Sequence, residues 1–306
     1  MKKTMEENDQ IVQDWTFTIN EKRLELSKHF KLFRVINLIV LLLVLAVITV
    51  GFTILFPQGE TGMGLAVAII VAALIGVLIY STLMKKYTTK KGNEYIALYY
   101  QKISDFIFGD MNIENYKQDV KDQLTYDDFY EAKLLKDVTS SGSRNLVKYH
   151  YNGHDIKLAD YGAYRREGKQ NQVLFVGKLI VVEGLNFGNN RVIIYRRPVQ
   201  EQLSKSTGPT DIEGLSVVID DSDILVYCEG DFDKSKFKEA INLIRKFPTS
   251  LPFVDASFSF IGQRLTIAIS YTDDLMVIPL PEPFKKDATE VFKSNIEAIH
   301  KIIDVL

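Results

Sequence analysis

The chain has 306 residues but a single cysteine, Cys228, and a single tryptophan. One thiol excludes a disulfide within the chain and any zinc site built from several thiolates. No excess of either charge exists. Thirty-seven basic and 39 acidic residues leave a formal net charge of -2, which argues against a general nucleic-acid binder and against an acidic tail protein. Histidine is scarce, at four residues. No G-x-S-x-G elbow, phosphate-binding glycine loop, H-E-x-x-H or C-x-x-C is present. Nothing in the sequence implies a cofactor or a metal.

The most informative scarcity is local. From Val35 to Met84 only Glu60 is charged. Within that stretch lie two charge-free runs, 35–56 and 64–84, of 22 and 21 residues. As helices they would reach roughly 33 and 31 Å, which matches a hydrocarbon core of about 30 Å. A helix satisfies its own backbone groups in lipid, so both runs can span. A signal peptide does not fit, because 34 residues precede the first run and a second follows at once.

Between the runs, residues 57–63 (PQGETGM) contain Pro57, Gly59 and Gly62, all turn residues, and Pro57 cannot continue a helix. Seven residues reverse the chain but do not recross a bilayer. Basic residues set the side: Lys22, Arg23, Lys28, Lys31 and Arg34 precede the first run, and Lys85, Lys86, Lys90 and Lys91 follow the second. The turn has none, so the positive-inside rule predicts cytoplasmic flanks, both termini inside a cell (inner) membrane, and an external turn at 57–63. The expected partners therefore begin with the lipid bilayer.

Gly64, Ala68, Ala72 and Gly76 recur every four residues and line one face of the second run. Such a stripe allows close helix packing in lipid, either between chains or against the first helix, and the short connection favours the latter. No ionisable group sits within either run, which argues against a proton relay or ion pathway.

The rest reads as segment 1–34, partly helical and begun at Asn20, a helical connector over 85–140, and an α+β domain over 141–306. Helices are expected in NEYIALYYQKISDFIF, with Gly92 as a weak point, and in YDDFYEAKLLKD. From about Asn145 the period becomes strand-like, and Asn152-Gly153 sits between alternating segments as a two-residue hairpin turn. Further strands are read in NQVLFVGKLIVVEGL, NRVIIYRR, LSVVI, DILVYCEG and DASFSFIGQRLTIAISY, with an extended piece at LMVIPL. DKSKFKEAINLIRKFP is a helix capped by Asp233, burying Phe237, Ala240, Ile241 and Ile244. The tail from Asp287 is an amphipathic helix with Phe292, Ile296, Ile299, Ile303 and Leu306 inward. A run of strands with helices at either end predicts a largely antiparallel sheet.

These features resemble a family of bacterial two-helix membrane proteins. The likeness rests on the two early apolar helices, the long connector, FVGKLIVVE, and FDKSKFKEAINLI followed by ASFSFIGQRLTIAIS. The family is known as a domain of unknown function, sometimes mislabelled galanin. The resemblance implies a cytosolic α+β domain, no assigned catalytic residues, and a partner of the LemA type.

Candidate chemistry is sparse. His150, His154 and Asp155 surround the hairpin turn, but alternation sends the two imidazoles to opposite faces. The acidic set Asp220, Asp221, Asp223, Glu229, Asp231 and Asp233 lacks calcium-loop spacing and fits turns and a helix cap. Cys228 in an apolar strand reads as a buried, inert thiol. Residues 144–197 carry net +6 and those from Pro198 net -7. Either the basic half faces anionic headgroups, or the halves share a sheet and neutralise each other. The expected function is an anchored module that binds a protein or a membrane surface, with a membrane-tethered hydrolase as the rival. No nucleic acid is expected.

Overall fold

The computed structural model describes residues 5–55, 59–111, 113, 116–119, 122–135, 137–168, 170–188, 190–197, 214–248, 253–271 and 286–306. Pro57, the SKSTGPT stretch and LMVIPL lie outside them. The described residues up to Tyr99 form one compact unit and those from Tyr100 the second.

The first unit is helical. Helix α1 spans Met5–Leu55 and α2 spans Gly59–Asp110. The expected start at Asn20 is corrected: the helix begins at Met5, and Asn20 lies within it, its side-chain oxygen accepting from Arg23 Nε at 3.2 Å. A cap contributes about 1 kcal/mol, too little to interrupt a helix whose inward stripe is packed. That stripe is Ile19, Arg23 and Leu26, all buried, with Phe33 half-buried at the same three- and four-residue spacing. Phe33 meets Tyr87 of α2 edge-on, ring centroids 5.3 Å apart. The connection is also shorter than expected, since α2 already begins at Gly59, and α2 runs through Gly92 without a break.

The second unit is built on one nine-stranded sheet, every pair antiparallel. Its strands are β1 Lys117–Asp119, β2 Ser140–Tyr151, β3 His154–Glu167, β4 Gln170–Glu183, β5 Val192–Arg196, β6 Ser216–Asp220, β7 Ile224–Cys228, β8 Phe253–Ile261 and β9 Arg264–Tyr271. They lie in the order β1-β2-β3-β4-β9-β8-β5-β7-β6. Helices α3 Tyr126–Tyr130, α4 Lys234–Arg245 and α5 Lys286–Asp304 complete the described elements. The chain is therefore α+β, with two long apolar helices ahead of the sheet.

Register explains the packing. Val147, Leu158, Ile180, Ile267, Phe258, Ile194, Val226 and Ile219 are successive cross-strand partners, forming an apolar row over eight strands. Side chains opposite one another share a face, so the row belongs to one side of the sheet. Helices α4 and α5 cover that side. Phe237 packs edge-on against Phe260 at 5.2 Å and Phe247 against Phe258 at 5.5 Å, while Phe292, Ile296, Ile299 and Ile303 of α5 are buried. The opposite face carries Ala159, Tyr161, Leu179, Val181, Ile193 and Ala268, covered by Leu124, Phe129, Ala132 and Leu134.

The hairpin at Asn152-Gly153 forms as expected, both residues with positive φ, as a two-residue turn joining twisted strands requires. Gly177 in the FVGKL strand is there for space: a Cβ on it would lie 1.9 Å from the Ile269 carbonyl oxygen. Two expectations fail. The connector is not helical throughout: α2 stops at Asp110, and β1 follows on the sheet edge. In YDDFYEAKLLKD only Tyr126–Tyr130 is helical. Positive φ at Lys133 and Asp137 breaks the segment, allowing Ala132 and Leu134 to face the sheet.

Candidate membrane anchor and binding surfaces

Both helices of the first unit contain a stretch long and apolar enough to cross a membrane, within Phe17–Val50 and Val67–Leu98, and none of either test stretch is buried. Leucines at 38, 41, 42, 43 and 45 stand exposed. The threonine hydroxyls in these runs turn back on their own helices. Thr49 Oγ1 donates to the Leu45 carbonyl at 2.8 Å, and Thr82 Oγ1 to that of Leu78 at 2.8 Å. A hydroxyl satisfied this way carries no open hydrogen bond into an apolar medium.

The flanking cations stand at the ends of these runs. Lys28, Lys31, Arg34, Lys85, Lys86 and Lys90 are exposed; Lys91 is half-buried and pairs with Glu94 at 2.9 Å. Phe33 and Tyr87 lie among them and fix the two helices at one level. Of the small-residue stripe, Ala68 and Gly76 are exposed, and a Cβ on Gly76 would meet nothing within 4 Å. These two members are not packed against the first helix. The side-chain environments of Gly64 and Ala72 lie outside the description.

In the sheet domain, titratable groups are mostly drawn into internal pairs. Asp220 pairs with Arg197, while Asp221 and Asp223 pair with Arg245 of α4. Asp233 caps α4, accepting from the backbone of Ser235 and Lys236. These bonds hold the Asp233 carboxyl below the usual carboxylate range, the Ser235 hydroxyl being the largest cause. His150 Nδ1 lies 3.1 Å from Asp155 Oδ1 on one face of the hairpin, whereas His154 pairs with Tyr151 on the other. Cys228 is buried, and that burial raises its thiol pKa, so a reactive thiolate is disfavoured. Among the described residues, no group of three His, Cys, Asp or Glu is placed to hold a metal ion.

The charge asymmetry resolves into a shared sheet. Arg197 reaches Asp220 and Arg264 reaches Glu183, both across the basic and acidic halves. Other pairs stay within one half, as with Lys157–Glu183 at 3.0 Å.

Three polar centres were invisible to sequence reasoning. Lys178, 2 % exposed, pairs with Asp160, which also accepts from Asn145 Nδ2 at 2.7 Å, and the ammonium sits 5.2 Å from the Phe292 ring centre. His300 of α5 stacks on Tyr151 at 3.7 Å, and its Nε2 lies 3.0 Å from Tyr149 Oη. Burial lowers His300 to about 4, with Asp304 opposing that shift. Asp255, also buried, accepts from Ser270 Oγ at 2.6 Å, and desolvation raises its pKa against that bond. Each arises from side chains that strand pairing or helix packing sets side by side, which no local motif encodes.

A groove of about 490 Å³ lies beside β6, lined by Val218, Ile219, Asp221, Lys234, Lys238 and Ile241 among others.

No protein-family model matches this chain, and no curated protein matches it. Among solved structures it is similar to the mycobacterial trehalose monomycolate transport factor A, TtfA, with 10 % identity and a TM-score of 0.37 over 68 % of this chain and 96 % of that one. So slight a likeness carries neither fold detail nor activity across.

Proposed function

We propose that this protein is an integral membrane protein of bacterial type whose two long helices cross the cell membrane as a hairpin. Residues 57–63 lie outside, both termini lie in the cytoplasm, and the sheet domain is a cytosolic binding module. One observation carries the reading: two adjacent apolar helical stretches contain no buried residue. Exposed leucines over that length are unfavourable in water by about 25 cal/mol per Å² of apolar surface and are at home in lipid. The orientation is supported by nine basic residues on the two flanks against none in the turn.

Binding rather than chemistry is the reading for the domain because several of its charged groups are paired with one another, as Arg245 is with Asp221 and Asp223. The partner is a protein at the inner face of the membrane, a LemA-type protein being the one the family resemblance implies; anionic headgroups are a further ligand of the basic collar. Membranes from cells expressing the full chain, washed with high salt and then alkaline carbonate, should retain it in the pellet. Release by carbonate alone would refute the anchor.

A further inference from the structure

We infer that α5 is a releasable strap: it lifts from the sheet as one unit while the rest of the domain stays folded, and acid favours the lifted state. The strap is independent of the membrane reading. Two helices cover the same side of the sheet, and their inward faces differ. Helix α4 buries Phe237, Ala240, Ile241 and Ile244, all apolar, and its last-turn Arg245 is tied to Asp221 and Asp223. Helix α5 buries Phe292, Ile296, Ile299, Ile302 and Ile303, but Asn295 and His300 are buried with them, 1 % and 5 % exposed.

Polar groups meet α5 along its whole path across the sheet. Phe292 lies over Lys178 of β4, and eight residues later His300 lies on Tyr149 and Tyr151 of β2. Eight helical residues rise about 12 Å, enough to cross two strand spacings of about 4.8 Å. Beneath Phe292 is the buried Lys178–Asp160 pair, whose charges regain water when the helix lifts. Between the two ends, Asn295 has neither Nδ2 nor Oδ1 in a hydrogen bond among the described residues, and lifting returns both groups to solvent. These terms offset part of what the isoleucines gain by burial, a balance that the apolar face of α4 does not meet. An element held in this way opens below the free energy of global unfolding.

His300 supplies the acid response. Its ring stacks on Tyr151 with centroids 3.7 Å apart, and Nε2 lies 3.0 Å from Tyr149 Oη. Facing it are the phenols of Tyr149 and Tyr151 from β2 and, from its own helix, Asp304, which accepts from Tyr151 Oη at 3.0 Å and from Asn152 Nδ2 at 3.2 Å. Phe108 of α2 backs Tyr149, while His150 and Asp155 lie on the other face of the hairpin. Among the described residues Asp304 is the one charge acting on the ring, and it does not make up for the lost water. The closed strap therefore keeps the imidazole neutral, and the lifted strap frees it to take a proton.

The test is hydrogen exchange of the full chain in detergent, read by mass spectrometry on peptides from α5, α4 and the buried part of β4. After correction for intrinsic rates, amides throughout α5 should exchange together and faster than those of α4 and β4. The opening constant of α5 should rise about 20-fold from pH 7 to pH 5, the factor set by a histidine that titrates at about 6.5 when free and about 4 when covered. His300→Gln should remove that rise. Asn295→Leu should slow the exchange of α5 about tenfold and leave that of α4 unchanged. Exchange of α5 in step with α4 and β4, exchange confined to its last turn, a rise with acid that persists in His300→Gln, or an Asn295→Leu chain whose α5 exchanges as before would each overturn the inference.

Discussion

Leu42 of α1 and Leu179 of β4 are the same side chain in opposite surroundings, one 56 % exposed and the other fully buried. In the sheet unit, apolar side chains find one another: the cross-strand row from Val147 to Ile219 is sealed by α4 and α5. In the two apolar stretches of the helical unit they stay exposed, although the chain has ample apolar surface to offer them. Two different solvents account for this. The sheet domain folds against water, where burial is the driving force; on the proposed membrane reading the helical runs need none, because a bilayer around them is itself apolar. Polar groups divide in the same way. Thr49 and Thr82 bond only to their own helices, whereas Lys178 and Asp160 are buried as a pair across neighbouring strands.

The comparison can be broken most forcefully by deleting the same kind of bulk in each unit. Phe258→Ala should destabilise the sheet domain by about 3–5 kcal/mol, read as a fall in the thermal midpoint of the full chain in detergent, whereas Leu42→Ala should leave that midpoint in place. Leu42→Arg tests the other solvent. A charge at the middle of a span is unfavourable by about 2.5–3.5 kcal/mol, so the membrane-pelleted fraction should fall while the sheet domain still resists limited proteolysis.

The third comparison is one of pH. His300 is held neutral, with its pKa lowered to about 4. The unfolded chain therefore binds a proton that the folded one refuses, so the contribution is intact above the ordinary histidine value of about 6.5 and is lost as pH falls from there toward 4. A loss on the order of 2 kcal/mol is expected from wild-type protein over that window, and His300→Gln should flatten the slope. Asp255 works with the opposite sign: its raised pKa favours the folded state in acid and is lost as pH rises through the folded value, so it does not produce an acid loss. The smallest effect belongs to Thr125, whose side chain and Asp128 cap α3 reciprocally. Thr125→Ala should cost about 1 kcal/mol, read in the same thermal midpoint.

What was legible in the sequence is what local physics determines. The charge-free runs, the Asn152-Gly153 turn, the Asp233 cap and the inward faces of α4 and α5 all follow from spacing and residue type, and each is in place in the fold. The errors lie where tertiary packing overrides a local preference. Asn20 reads as a cap but is carried through by the stripe of Ile19, Arg23 and Leu26; Lys133 reads as helical but takes a positive φ so that Leu134 can reach the sheet. The strand order and the short β1 were not legible, because pairing between distant segments leaves no periodic trace. For the same reason the groove beside β6 appeared only with the fold: Lys234 and Asp221 are ordinary surface charges until α4 is laid along the strand.

The central claim, that the apolar helices span the membrane and hold the sheet domain in the cytosol, is tested most directly by an epitope tag fused after Leu306. In intact spheroplasts treated with external protease the tag should survive, and it should be digested once the membrane is permeabilised. Digestion in intact spheroplasts would contradict the account.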